Sequence, residues 1–146
     1  MKKSLSICLS HLDNYNNNKQ LPVGTWNRLL WQLTGDELIF IPAGVEFNTK
    51  QYPGAGWLME FNQLFVDGFQ ERYPDWNNNA LLTIKVGAVD LPLTDALRQE
   101  MNDLAILLSH AQHKGQSELY LQAYADLILL NANHIYTKPE TGSYLK

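Results

Sequence analysis

The alternation of apolar and polar residues predicts a series of short strands in the first 90 residues. Four large apolar residues at 38–41 stand between a Gly-Asp and a Pro-Ala-Gly sequence, a pattern typical of a buried strand between tight turns. Residues 45–49 then alternate apolar and polar, as in a second strand with one face inward. We predict that this corner belongs to a β-barrel or sandwich.

Four further segments carry strand patterns, at residues 4–9, 26–33, 57–61 and 81–86. The first is expected at a sheet edge. Because successive side chains of a strand point to opposite faces, Trp31 is expected on the face opposite Arg28. By the same rule Trp57 and Met59 share a face that Glu60 does not. Residues 62–69 are predicted to form a short helix or turn.

At residues 92–94 the spacing of apolar residues changes from the alternation of a strand to the spacing of a helix, and a long helix is predicted to begin there. Thr94 is a suitable N-cap, and Asp95 suits the positive end of the helix dipole. The apolar residues that follow step by four and three positions, like a coiled-coil seam: Leu97, Met101, Leu104, Leu108 and Ala111. Lys114-Gly115 breaks this helix, and a second is predicted at about 117–136, antiparallel to the first.

The second helix predicts a partner chain. Its segment 119–130 is apolar almost all round, interrupted chiefly by Gln122 and Asp126, and such a helix must be covered on more than one side. We therefore expect a homodimer. The residues expected at its interface are Leu97, Met101, Leu104, Leu108, Tyr120, Tyr124 and Leu127. The alternative is that the first helix packs only on the second and needs no partner.

Length, composition and charge restrict the class of protein. With 146 residues, 45% of them hydrophobic, the chain suits one domain: strands at about 4–90, helices at about 94–136 and a linker or tail at 137–146. The net charge of −4 and the lack of a Lys/Arg run after Lys2-Lys3 argue against direct contact with nucleic acid.

The targeting signals of secreted and membrane proteins are not expected in this sequence. The apolar stretch after Lys3 is broken by polar residues, unlike a signal peptide, and no segment approaches the roughly 20 apolar residues that cross a bilayer. The single cysteine, Cys8, cannot form an internal disulfide, which favours a reducing compartment. The expected location is the cytoplasm.

The aromatic residues suggest a binding site for a small organic molecule. Trp31, Trp57 and Met59 could form an apolar wall, with Arg28 and Glu60 as its polar tips. The alternative is a solid core, because small barrels are usually filled by their own side chains. Arg28 is expected either to be exposed or to contact an anion, and exposure is favoured.

No metal site, cofactor or catalytic residue is predicted. His110 and His113 could share a helix face with His134 nearby, but no carboxylate or cysteine completes a zinc motif, and exposure at a helix end is the ordinary explanation. Asp36 and Glu37 could be an acid/base pair. As neighbours on a strand they would point to opposite faces, so a turn explains them better.

Three stretches carry a resemblance to a known family. They are the Gly-Asp-x-x-x-x-x-Pro-x-Gly corner at 35–44, the segment Leu-Met-Glu-Phe-Asn-Gln-Leu-Phe at 58–65, and the Leu-Thr helix start at 93–94, followed by the apolar second helix. In these features the chain resembles the N-terminal sensor half of AraC-type transcription regulators, over roughly residues 20–137. The implied fold class is α+β, a small cupin-like antiparallel barrel or sandwich followed by two antiparallel helices.

The resemblance also implies a function. In that family the cupin binds a small-molecule effector, the helices dimerise and a separate helix-turn-helix half grips DNA. That DNA-binding half is expected to be missing from this chain, which would be either an excised sensor domain or a natural protein that lacks the DNA-binding half. Catalytic cupins place their last metal-binding histidine where this chain has Phe47, whose ring cannot bind a metal. A sensor domain without enzymatic activity is therefore expected. The alternatives to it are a stand-alone cupin-like enzyme or sugar-modifying protein, and a scaffold that only pairs with another chain.

Overall fold

A computed structural model describes residues 6–22 and 24–138 of the chain. The strands in this part are β1 (Ile7–His11), β2 (Trp26–Gln32), β3 (Glu37–Ile41), β4 (Gly56–Asn62) and β5 (Val89–Pro92). The α-helices are α1 (Gln63–Arg72), α2 (Asp95–His113) and α3 (Glu118–Thr137). The α+β class is thus confirmed. The predicted tail at 137–146 lies almost wholly outside the described residues.

The strands form one antiparallel sheet in the order β1-β4-β2-β3-β5. Leu29 of β2 lies opposite Met59 of β4 on one side and Phe40 of β3 on the other. Within the described residues β1 and β5 are the two edges, so this sheet is not closed and the predicted barrel is not confirmed. The edge position predicted for the first strand is correct.

Two predicted strands are wrong. Residues 45–48 have no regular structure, and a 3-10 turn at Thr49–Gln51 follows, capped by the Asn48 side chain. Within 81–86, residues up to Thr83 belong to the 3-10 turn Ala80–Thr83. Leu81 is buried, and its backbone nitrogen donates to Asn133 of α3 at 2.8 Å, so an α3 side chain takes the bond that a strand neighbour would have taken.

The helix α1 continues three residues past residue 69, where the predicted segment ended. Asn62 caps its start by accepting a hydrogen bond from the backbone nitrogen of Phe65. At its end Arg72 forms a two-pronged ion pair with Asp126 of α3, with both nitrogen–oxygen distances 2.8 Å. This long-range contact accounts for the extra turn, which the local sequence does not signal.

The bounds of α2 and α3 lie within about one residue of their predictions. Thr94 caps α2 through the backbone nitrogen of Leu97, and Gly115 follows its end with a φ of 63°, a conformation that favours glycine. Asn131 near the end of α3 donates to Glu100 near the start of α2 at 3.1 Å, so these two parts of the helices lie together. In the described part of the chain, no helix is both long and apolar enough to span a membrane.

The sheet has two different faces. On the helix face, the side chains of Leu29, Trp31, Phe40, Met59 and Phe61 pack with buried residues of α1, α2 and α3. On the opposite face, called the loop face below, Leu30, Ile39, Ile41 and Leu58 pack with Leu12 and Phe47 from connecting segments. The period-two alternation predicted for β2 and β4 is correct.

Candidate functional site

The loop face contains a buried ion pair between Arg28 and Glu60. The two residues lie directly opposite each other on β2 and β4, which puts both side chains on one face of the sheet. Arg28 Nε donates to Glu60 Oε2 at 2.9 Å, and the two side chains are 0% and 1% exposed. The favoured expectation that Arg28 is exposed is therefore wrong, and its anionic partner is Glu60.

Other groups complete the surroundings of Arg28. Its two Nη atoms donate to the backbone oxygens of Leu21 at 2.8 Å and Trp26 at 3.3 Å. The guanidinium carbon lies 4.9 Å from the centre of the Phe47 ring, a cation–π contact. Phe47, which the resemblance placed at a metal-ligand position, thus forms part of the cover over an ion pair.

Tyr15 adds a third polar group to this cluster. Its hydroxyl donates to Glu60 Oε2 at 2.9 Å. Burial, followed by the nearby Glu60 charge, raises the pKa of Tyr15 to about 12. Burial also raises the pKa of Glu60 above its ordinary value, an effect that Arg28 and the Tyr15 hydroxyl oppose. The cluster therefore holds a proton on Tyr15 and places a carboxylate in a poorly solvated position.

Two connecting segments, 12–22 and 45–52, cover the cluster and are joined to each other. The Asn17 side chain exchanges two hydrogen bonds with Thr49, at 2.7 Å and 3.1 Å. Gln20 Nε2 donates to the backbone oxygens of Asn17 at 3.2 Å and Phe47 at 3.5 Å. These two acceptors fix the orientation of the amide, and its Oε1 is buried without a hydrogen-bond partner in the described part of the chain.

Two surface depressions adjoin these segments on the loop face. One, of about 280 Å³, is lined by Leu30, Trp31, Gln32, Asp36, Glu37, Ile39, Gln51, Tyr52 and Asp90. The other, of about 320 Å³, is lined by Gln20, Glu46, Phe47, Asn48 and Gln51. Because Gln51 borders both, we treat them together as the loop-face groove. The groove could not be predicted from the sequence, because its walls come from segments that were predicted to be strands or turns.

The five predicted ligand-binding residues are divided between the two faces. Arg28 and Glu60 lie on the loop face, whereas the side chains of Trp31, Trp57 and Met59 belong to the helix-face core. Trp31 borders the groove, but its ring is fully buried and donates from Nε1 to Asn102 of α2 at 2.8 Å. A single wall made of all five is therefore wrong, because strand neighbours such as Met59 and Glu60 cannot point to the same face.

The predicted dimerisation residues also separate into groups. Met101 and Leu108 are fully buried in the core of their own chain, so their assignment to a dimer interface is wrong. Leu97, Leu104 and Tyr124 are half-buried against the same core. Tyr120 and Leu127 are 54% and 46% exposed. Leu107, which was not among the predicted interface residues, is 44% exposed.

The histidines considered for a metal site lie at exposed positions. His110 and His113 are near the end of α2, where a ring nitrogen of His113 is 3.0 Å from the Ser109 backbone oxygen. His134 is exposed on α3. In residues 6–22 and 24–138, no group of three or more His, Cys, Asp or Glu residues is arranged to hold a metal ion.

Comparison of the chain with protein-family models gave no match, and comparisons with curated proteins and with solved structures gave none either.

Proposed function

We propose that this chain is the effector-sensing and dimerisation domain of an AraC-type transcription regulator. It would bind a small organic ligand on the loop face and pair with a second copy through α2 and α3. The observation that carries this proposal is the difference between the two faces of the sheet. One face holds a buried polar cluster beneath irregular segments. The other is packed against the helices, which expose apolar side chains to solvent.

The loop face has the features of a binding site for a small organic ligand. The groove is lined mainly by polar side chains, amides and carboxylates, above the buried Leu30 and Ile39. Polar groups of this kind can orient a bound ligand by hydrogen bonds and charge. The segments over the site are short 3-10 turns and irregular chain, which can rearrange at lower cost than a strand.

The helices provide an apolar surface for a second copy. The Asn131–Glu100 hydrogen bond sets the register of the two helices. One turn closer to the segment that joins them, Leu127 of α3 lies level with Leu104 of α2. One turn closer again, Tyr124 of α3 lies level with Leu107 of α2. Each level thus has one exposed apolar residue, Leu127 or Leu107, beside a half-buried residue of the other helix. A surface of this kind is typical of an interaction site, and a two-fold dimer would cover it with the same surface of another copy.

The strand β4 connects the two sites. Its Glu60 side chain belongs to the loop-face cluster, and the neighbouring Met59 and Phe61 are fully buried against the helix-face core. A ligand that displaces Glu60 would thus shift residues packed under the helices. Such coupling requires the ligand to bind two arrangements with different affinities. DNA-reading units joined beyond α3 would then change their spacing.

Thermal-shift screening tests the sensing part of this proposal. The compounds should include sugars, aromatic and acidic metabolites, and amines, tested on the wild-type chain and on the Arg28→Met/Glu60→Leu double variant. We expect one chemical class to raise the Tm of the wild type and to lose that effect in the double variant. Asp95→Asn, which alters an exposed ion pair with Arg98, is the control and should respond like the wild type. If no class raises the Tm, the sensing claim fails although the fold stands.

A further inference from the structure

The two faces of the sheet are packed by separate sets of side chains. The helix-face core packs the strands against α1, α2 and α3. The cluster on the loop face is smaller, and among the described residues it joins the strands to the segments 12–22 and 45–52, called the lid segments below. Because the sheet lies between the two clusters, the loop-face contacts can break while the helix-face core stays packed.

Both lid segments are attached to the sheet through the buried Arg28–Glu60 pair. From the first segment, the Tyr15 hydroxyl donates to Glu60 at 2.9 Å, and the Leu21 carbonyl oxygen accepts from Arg28 at 2.8 Å. From the second, the centre of the Phe47 ring lies 4.9 Å from the guanidinium carbon of Arg28. One ion pair between two strands therefore holds residues of both segments.

The lid segments are also joined directly to each other. The Asn17 side chain exchanges hydrogen bonds of 2.7 Å and 3.1 Å with Thr49. The Tyr15 and Phe47 rings meet edge to face with their centres 5.6 Å apart, and Gln20 Nε2 donates to the Phe47 carbonyl oxygen at 3.5 Å. Because neither segment can leave the sheet without breaking these contacts, the two should move together.

The secondary structure within the lid segments is short and local. It consists of the 3-10 turns Leu12–Asn14, Asn17–Lys19 and Thr49–Gln51. Turns of this length carry few backbone bonds of their own, unlike strands paired along their whole length. The side-chain contacts to the Arg28–Glu60 pair and to the loop-face cluster therefore decide whether the lid segments stay closed.

We propose that the lid segments open and close over the loop face as one unit, latched by the Arg28–Glu60 pair, while the helix-face core stays folded. In the closed state the two side chains of the pair are 0% and 1% exposed, so a ligand reaches them only when the lid is open. Opening also uncovers Leu30 and Leu58, which the closed lid buries. The motion itself needs no ligand and does not depend on the proposed function.

Native-state hydrogen exchange of the full chain, followed residue by residue by NMR, tests this inference. The reporters of the lid are the backbone amides of Lys19 and Tyr52, which donate to the carbonyl oxygens of Asn16 and Thr49 within the two segments. Amides of the buried positions of α3 report on the helix-face core. We expect both lid reporters to exchange through an opening that requires less free energy than exchange of the α3 amides.

Two variants separate opening of the lid from unfolding of the chain. Tyr15→Phe removes one bond of the latch and should raise the exchange rates of both lid reporters by the same factor, roughly tenfold for a hydrogen bond to a charged group. Tyr120→Phe, the same change at an exposed position, should leave both rates unchanged. Ile128→Val removes a methyl group from the helix-face core. It should speed the α3 amides roughly fivefold and leave the lid reporters unchanged.

Three results would overturn the inference. If Tyr15→Phe speeds neither reporter, the pair is not a latch. If it speeds Lys19 but not Tyr52, the two segments move independently. If Ile128→Val speeds the lid reporters as much as the α3 amides, the lid opens only when the whole chain unfolds. No ligand is present in these measurements, so a failed lid and a failed thermal-shift screen are distinguishable.

Discussion

The Gln112 side chain of α2 forms two hydrogen bonds with the backbone of Leu9 in β1. Its Nε2 donates to the Leu9 carbonyl oxygen at 2.8 Å, and its Oε1 accepts from the Leu9 nitrogen at 2.9 Å. A side-chain amide carries the same donor and acceptor as a peptide group, so Gln112 stands where a further strand would pair. It thereby covers part of an edge of the open sheet, which is otherwise a site for unwanted pairing.

Replacing Gln112 by alanine should destabilise the fold by about 1–2 kcal/mol, because both backbone groups of Leu9 lose their partner. Gln112→Glu should be at least as harmful, since a carboxylate cannot donate to the Leu9 oxygen. Urea denaturation followed by circular dichroism measures the change. Gln99→Ala on the exposed side of α2 is the control, and equal losses in the two alanine variants would contradict this role of Gln112.

The Arg28–Glu60 pair should behave as a buried unit rather than as two separate contributions. Glu60→Leu leaves an unpaired cation in the core and should cost about 3–5 kcal/mol. The Arg28→Met/Glu60→Leu double variant should recover most of that loss, because no buried charge then remains. Denaturation of the two variants and the wild type gives the three stabilities. A double variant no more stable than Glu60→Leu would show that the pair itself is needed.

Tyr15 should make stability depend on pH in the alkaline range. Its folded pKa of about 12 lies above the ordinary value of 10.0, so the folded state holds the proton more tightly than the unfolded state. The contribution of Tyr15 to stability is therefore complete below pH 10 and is lost as the pH rises toward 12. Urea denaturation at increasing pH should show the wild type losing its advantage over Tyr15→Phe. A constant difference between the two would contradict the shifted pKa.

Gly56 should tolerate no larger residue at the start of β4. A Cβ at this position would overlap the backbone oxygen of Trp31 and lie 2.9 Å from Gln32 Cα, both in the paired strand β2. Gly56→Ala should therefore cost about 1–3 kcal/mol by forcing two strands apart. Gly24→Ala is the control, because nothing lies within 4 Å of a Cβ there. Similar thermal stability of both variants would show that the strands can separate without cost.

The features correctly predicted from sequence are those encoded locally. Alternation placed Trp31 and Arg28 on opposite faces of β2, and Thr94 and Gly115 marked the ends of α2. The failures arise where distant residues decide the structure. Leu81 fits a strand pattern, yet it is held in a turn by Asn133 of α3, 52 residues away.

The candidate site was harder to predict than the fold. Arg28 and Glu60 were both named, but their pairing depends on a register between strands 32 residues apart that no local pattern specifies. Their grouping with Met59 ignored the opposite faces that the same pattern implied. The groove was missed because its Gln20 and Gln51 walls lie in irregular segments, where residue spacing does not indicate which side chains meet.

The dimer is the part of the proposed function that one measurement tests most directly. Sedimentation velocity across the micromolar range should compare the wild type with Leu127→Glu, which puts a charge into the exposed surface of α3. Val86→Glu is the matched control, since Val86 is 87% exposed in a connecting segment before β5. We expect dimers for the wild type and Val86→Glu and a monomer for Leu127→Glu. A monomeric wild type, or a dimer that Leu127→Glu leaves intact, would contradict pairing through α2 and α3.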